Sequence, residues 1–302
     1  MSYGFLCSKK MANLKEVRTR IASVSSTQQI TSAMKMVSAA KFRRAQNAIL
    51  AMRPYAQQLN AIVSGIDVAD GVRTLYHDIR KLDRVLLIVV VSNKGLCGAF
   101  NANVLKAATA RMEHYQKQKV ASIGMITLGK RATEFFSKQK GLVLASYDEL
   151  LDNPTFDAAC DISEQVMRDF CAKRYDRVEI IYNQFKNSIT QVLSTEQFLP
   201  VQPVSVSEKA VVKGLRNDYI YEPDKETVLR DMIPLMLRSQ FYRVVLDSVA
   251  AEHGARMTAM QKATDNATEL LKDLKLSYNK ARQSAITNEI IEIVSGSEAL
   301  KG

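Results

Sequence analysis

The chain has 302 residues, 47% of them apolar and 24% charged, and a formal net charge of +11. That suffices for one large or two modest folded domains with a real apolar core. Its longest apolar run, Val85 to Val91, falls far short of the roughly 20 residues a membrane-crossing helix needs, so any association with a membrane is expected to go through partners.

The first ten residues, MSYGFLCSKK, lack acids and arginines and hold little apolar sequence, which makes a poor signal or transit peptide. A second methionine, Met11, stands where the periodic pattern begins. Residues 1–12 are therefore read as a disordered extension or a misassigned start.

From Leu14 to about Ile66 the chain holds one proline, Pro54, and no glycine before Gly65. Apolar residues step by threes and fours through Leu14, Val17, Ile21 and Val24, and again through Ala45, Ala48, Met52, Tyr55, Leu59 and Ile62. A spacing near 3.5 marks a coiled-coil seam and not a helix lying on a broad core. Between the two runs the seam thins to Ile30, Met34 and Val37 among small polar residues, so this stretch is expected to face more than one neighbour. The first 60 residues carry ten Lys or Arg against one acid, Glu16. Such a basic face suits nucleic acid, an anionic membrane or an acidic protein surface.

The middle of the chain changes period. Arg84 to Val91 reads as a buried parallel strand, followed by a polar glycine turn, SNKGLCGAFN, and a helix to about Lys117. Strands are expected at Val120–Ile126, Leu142–Ala145 and Arg177–Tyr182, with helices at Lys130–Ser137 and Thr155–Ala172 between them. An extended strand at Gln191–Phe198, open to parallel or antiparallel pairing, closes the series. Alternation of strand and helix predicts a mostly parallel, doubly wound α/β sheet.

From about Pro223 to Val294 a second helical stretch is interrupted only by Pro234 and Gly254. Met260, Ala263, Ala267, Leu270, Leu274, Tyr278, Ala281 and Ala285 repeat the three-four step, and Ile286, Ile290, Ile293 and Val294 carry apolar character onward. At 1.5 Å per residue this helix would reach roughly 100 Å, against a radius of gyration of about 19 Å for a compact domain of this chain length. The predicted organisation is a shaft helix over 13–72, a central α/β domain over 73–217 and a second shaft helix over 218–302.

Sites for chemistry are scarce. The glycine turn after the first strand can in principle cradle phosphate, but it has two glycines, Gly95 and Gly98, where a dinucleotide fingerprint needs three, and the chain holds no GxxxxGK[ST]. The turn is read as a packing device. His77, His114 and His253 lack partners at ligand spacing, and Cys7, Cys97, Cys160 and Cys171 form no CxxC pair. No catalytic residue, metal site or cofactor is assigned.

Three segments carry a family resemblance: ANLKEVRTRIASVSSTQQITSAMKMVSAAKFRRAQ, VVVSNKGLCGAFN and ATDNATELLKDLKLSYNKARQSAITNEIIEIVSG. Together they closely resemble the gamma subunit of F-type ATP synthase, over essentially the whole chain from Met11. The family's C-terminal I-T-x-E-x-x-E signature appears as Ile286, Thr287, Glu289 and Glu292, followed by Gly296 and, where the family has alanine, Ser297. The resemblance implies the central rotor stalk, an antiparallel, asymmetric coiled coil with an α/β domain at its side, present in one copy per complex. It also implies alpha, beta and epsilon subunits and a membrane ion-translocating ring as partners, with catalysis on beta, no direct membrane insertion and no nucleic acid. By position Met34, Lys35 and Arg256 match residues facing the acidic lever loop of beta, and Arg282, Gln283, Thr287 and Glu289 match upper-shaft contacts. The family's chloroplast form carries a regulatory cysteine pair in the central domain, whereas here Val204–Asn217 is short and has no cysteine. The implied location is the cytoplasmic face of a bacterial inner membrane as a peripheral subunit, with the matrix side of the mitochondrial inner membrane as the alternative. A basic coiled-coil protein that binds nucleic acid is the rival reading, and a Rossmann-like enzyme the second.

Overall fold

A computed structural model describes residues 3–65, 75–138, 141–187, 190–201, 222 and 224–299; side chains are described from Leu14 onward except at 60, 61, 64, 65, 225 and 299. Residues 204–217, where a domain boundary is expected, lie outside the described residues. The chain divides into two compact units, one of residues 1–37 with 257–302 and one of residues 38–256. Two helices contribute to both: α1, Tyr3–Gly65, and α5, Lys225–Ala299.

In the first unit α1 and α5 lie antiparallel. Gln28 Nε2 donates to Thr268 Oγ1 at 2.7 Å, and Thr264 Oγ1 to Thr31 Oγ1 at 2.8 Å; as one helix advances the other retreats. The half-buried positions of α1, Leu14, Val17, Ile21, Val24, Gln28 and the buried Thr31, alternate threes and fours. On α5 Met260, Thr264, Ala267, Leu271, Leu274, Tyr278, Ala281 and Ala285 do the same. Both sets keep the 3.5-residue period that holds a seam against its partner.

Several details differ from the sequence reading, among them Tyr55, which is 50% exposed. Ile30 and Val37 are 60% and 58% exposed, and the seam passes instead through Gln28 and Thr31. Its apolar character gives way there to side-chain hydrogen bonds, so the middle of the pair is polar and not merely thin. On α5 it is Leu271 that turns inward, while Leu270 is exposed. A shift of one residue turns a helix by about 100°, which decides between adjacent leucines where composition cannot.

The second unit is built on a five-stranded sheet of order β3-β2-β1-β4-β5, with β1 Arg84–Val90, β2 Ser122–Leu128, β3 Val143–Ser146, β4 Arg177–Phe185 and β5 Gln191–Leu199. The first four strands are parallel and β5 pairs antiparallel with β4. The central β1 is buried on both faces, as a near-continuous Val/Ile/Leu run requires. Leu86, Ile88 and Val90 pack with α4, Phe156–Cys171, and with Leu229, Ile233, Leu237 and Phe241 of α5. Val85, Leu87 and Val89 pack with α2, Phe100–Lys117, and α3, Lys130–Phe136. Each of these strand residues contributes roughly 1.5–3 kcal/mol by leaving water. Phe42 and Ile49 of α1 pack on the first of these cores.

Local chemistry explains the ends of these elements. Thr155 caps α4 by accepting from the Ala158 N–H at 3.4 Å. Between β2 and α3, Gly129 has φ +108°, and a Cβ there would lie 2.4 Å from the Val91 carbonyl oxygen, so only glycine fits.

Candidate functional site

The residues matched to partner contacts fall in both units. In the first, Met34 and Lys35 are half-buried on α1. Arg282, Gln283, Thr287 and Glu289 are exposed on α5. Around the last four, Ile286, Ile290, Ile291, Ile293 and Val294 are exposed as well, giving the end of α5 an apolar surface punctuated by charge.

Arg256 belongs to the second unit and is only 7% exposed. Its guanidinium pairs with Glu252 one turn earlier on α5 and donates to the carbonyl oxygens of Lys94 at 3.0 Å and Gly95 at 3.2 Å. Those carbonyls belong to the glycine turn after β1. Leu96 and Gly98 stand at φ +63° and +62°; the left-handed geometry swings the chain round to start α2. The Ser92 N–H donates to Asn101 Oδ1 at 3.0 Å, the Ser92 hydroxyl to the Lys94 carbonyl at 2.6 Å, and Asn183 Nδ2 to the Phe100 carbonyl at 3.0 Å.

The turn is thus closed by its own side chains and by an arginine that takes up carbonyls. A phosphate cradle would need free N–H groups at this point, and the Ser92 N–H is already taken by Asn101. Gly98, at φ +62°, takes the left-handed conformation that the turn needs.

Electrostatics around Arg256 follow from burial. Removal from water pushes the Glu252 carboxyl up from its ordinary range, with Arg256 pulling the other way. Burial, then the charges of Arg256 and Lys41, lower His253 to about 4, so its imidazole is neutral at neutral pH. The sequence reading named Arg256 only as a match to a partner contact, and it did not name Glu252 or the turn carbonyls that engage it. An i,i+4 Glu–Arg pair was the available signal; the contact to a turn 162 positions away had none.

The described residues thus form a paired stretch of two unlike helices and an α/β unit built on a five-stranded, mostly parallel sheet. The model of the ATP synthase family matches residues 13–300. The chain is 52% identical to the ATP synthase gamma chain of Cytophaga hutchinsonii, over 96% of this chain and 99% of that one. It is 51% identical to the gamma chain of Flavobacterium psychrophilum, over 97% and 100%. Among solved structures it resembles the central stalk of the Tetrahymena thermophila mitochondrial ATP synthase, with 25% identity, TM-score 0.56, and 78% and 99% of the two chains covered. A chain of the Euglena gracilis mitochondrial enzyme shares the fold at TM-score 0.68 and 22% identity, over 96% and 95%. The chain belongs to the ATP synthase gamma-chain family. Among the described residues no helix is long and apolar enough to cross a membrane.

Proposed function

We propose that this chain is the rotating central stalk of an F-type ATP synthase, carrying torque between a membrane ion-driven ring and a catalytic hexamer of alpha and beta subunits. The observation that carries the reading is the antiparallel pairing of two unlike helices, seen in the Gln28–Thr268 and Thr31–Thr264 contacts. Two different helices make a rod with no rotational symmetry, so three surrounding sites meet three different surfaces. Each site's affinity shifts by the difference in contact free energy between its open and closed states.

Basic side chains exposed on α1, among them Lys15, Arg18 and Arg20, suit an acidic collar, where complementary charge steers contact without a permanent buried pair. Met34 and Lys35 on α1, and Arg282, Gln283, Thr287 and Glu289 on α5, are the proposed contacts to beta. The proposal for Arg256 is indirect: it orients the Lys94 turn, which presents the contact. Catalysis is assigned to beta, an epsilon subunit and the ring to the α/β domain's side, and one copy of this chain to each complex. The proposed location is the cytoplasmic face of a bacterial inner membrane.

The test is reconstitution. This chain alone hydrolyses no ATP, and mixing it with the alpha and beta subunits of the same complex yields steady ATPase activity that tracks the amount of this chain added. Removal of residues after Thr287 lowers ATP-driven ion pumping more than it lowers the melting temperature of the α/β domain. Assembly and turnover indifferent to this chain would sink the reading.

A further inference from the structure

The second unit contains a cleft of about 620 Å³ between the Ile49–Leu59 stretch of α1, the end of β5 and the Met236–Arg243 stretch of α5. That volume lies within the roughly 300–1,000 Å³ typical of small-molecule sites. Its floor is apolar: Leu59, Phe198 and Met236 line it and are buried.

Two polar features converge on this floor. Ser239 is 3% exposed, and its hydroxyl has no hydrogen-bond partner among the described residues although it lines the cleft. A buried hydroxyl left without a partner costs about 1–3 kcal/mol, which an incoming acceptor oxygen would recover. At the mouth stands Arg53, exposed and with no carboxylate of the described residues within ion-pair distance, although its charge is felt by Asp247. Among the described residues that line the cleft the carboxylate is Glu196, already satisfied by Arg243 at 2.9 Å and by the Tyr182 hydroxyl at 2.5 Å. Its charge is therefore spent on Arg243, which Asp247 also approaches at 3.9 Å, and Arg53 is left as the exposed cation of the cleft mouth, with Asp247 acting on it only from beyond ion-pair distance.

We propose that this cleft binds an anionic amphiphile, with the acidic head on Arg53, an oxygen acceptor on Ser239 and an apolar body against Leu59, Phe198 and Met236. The apolar floor supplies affinity by area, while Arg53 and Ser239 select an acid over an alcohol or amine of equal length. A free carboxylate and a phosphate ester present the same chemistry to Arg53.

The experiment is calorimetric titration of the full chain with decanoate, decyl phosphate, decanol and decylamine, all below their aggregation concentrations. The expected result is one site for an anion with Kd on the order of 100 µM or tighter, with decanol and decylamine at least about tenfold weaker. The better of the two anions identifies the head group. Arg53→Gln weakens the anions about tenfold and leaves decanol unchanged, and Ser239→Ala weakens them a few-fold. Ala56→Phe, which fills the cleft from the α1 wall, abolishes binding while the melting temperature stays near that of wild type. Decanol binding as tightly as decanoate, unchanged anion binding in Arg53→Gln or in Ala56→Phe, or no binding of either anion would each overturn the proposal.

Discussion

Arg256 on α5 donates to the carbonyl oxygen of Lys94 at 3.0 Å, tying the middle of a long helix to the turn that follows the central strand. The same guanidinium pairs with buried Glu252, so one side chain satisfies a buried carboxylate and two part-buried carbonyls.

Replacing Arg256 with alanine would leave Glu252 buried without its counter-charge. Breaking a buried pair from one side costs about 3–5 kcal/mol. The variant is expected to melt well below wild type, with faster hydrogen exchange at the Gly95 and Leu96 amides. The double change Arg256→Met with Glu252→Leu removes both charges and is expected to recover much of the loss. Thermal unfolding of the three variants decides it, and an unaltered melting temperature in Arg256→Ala would contradict the clamp.

Thr31 and Thr264 meet inside the seam between α1 and α5. Changing them together to isoleucine and leucine restores an apolar layer, and the gain is expected to be on the order of 1 kcal/mol. Slower exchange of α1 amides around Gln28 would report it. Because a polar layer also specifies register, the same variant is expected to lose some of its fixed alignment, readable as broadened distances between spin labels at exposed sites on the two helices.

Asp247 is raised from its ordinary 3.8 to about 6, chiefly by burial, with Arg243 opposing, Glu196 adding to the rise and Arg53 opposing. The folded chain therefore holds this proton more tightly than the unfolded one. The resulting stability is complete below about pH 4 and is lost as pH climbs through about 6. Asp247→Asn keeps the neutral form at every pH, while Arg243 retains Glu196 at 2.9 Å. The variant is expected to exceed wild type by on the order of 1–2 kcal/mol at pH 7.5 and by less at pH 5. Urea midpoints at the two pH values measure this, and a variant less stable at pH 7.5 would show that the Arg243 pair outweighs burial.

Met34 is half-buried one residue from Lys35. On the proposed function, Met34→Lys adds a second positive charge against an acidic partner surface and holds the contact too tightly. The reconstituted complex is expected to keep most of its ATPase activity while ATP-driven ion pumping falls several-fold. Equal pumping by wild type and variant would remove Met34 from the contact.

The sheet was legible because β1 is hydrophobic on both faces, a pattern that parallel strands covered on two sides demand, and because glycines and polar turns punctuate each element. The two long helices were legible from the three-four step at Leu14, Val17, Ile21 and Val24 and from Met260 through Ala285. A local rule failed where the seam became polar: Gln28 and Thr31 carry no apolar signal, and their place is known only from the threonines they meet, 240 and 233 positions away.

Sequence alone therefore determined which segments are helix and strand, and the charge each carries, because period and composition act over a few residues. Tertiary structure decided which face of each helix turns inward, sending Leu271 inside and leaving Ile30 in water. It also decided that Arg256 is a buried clamp and that Ser239 opens onto a cleft. Those outcomes depend on partners distant in the chain, whose approach no local pattern records.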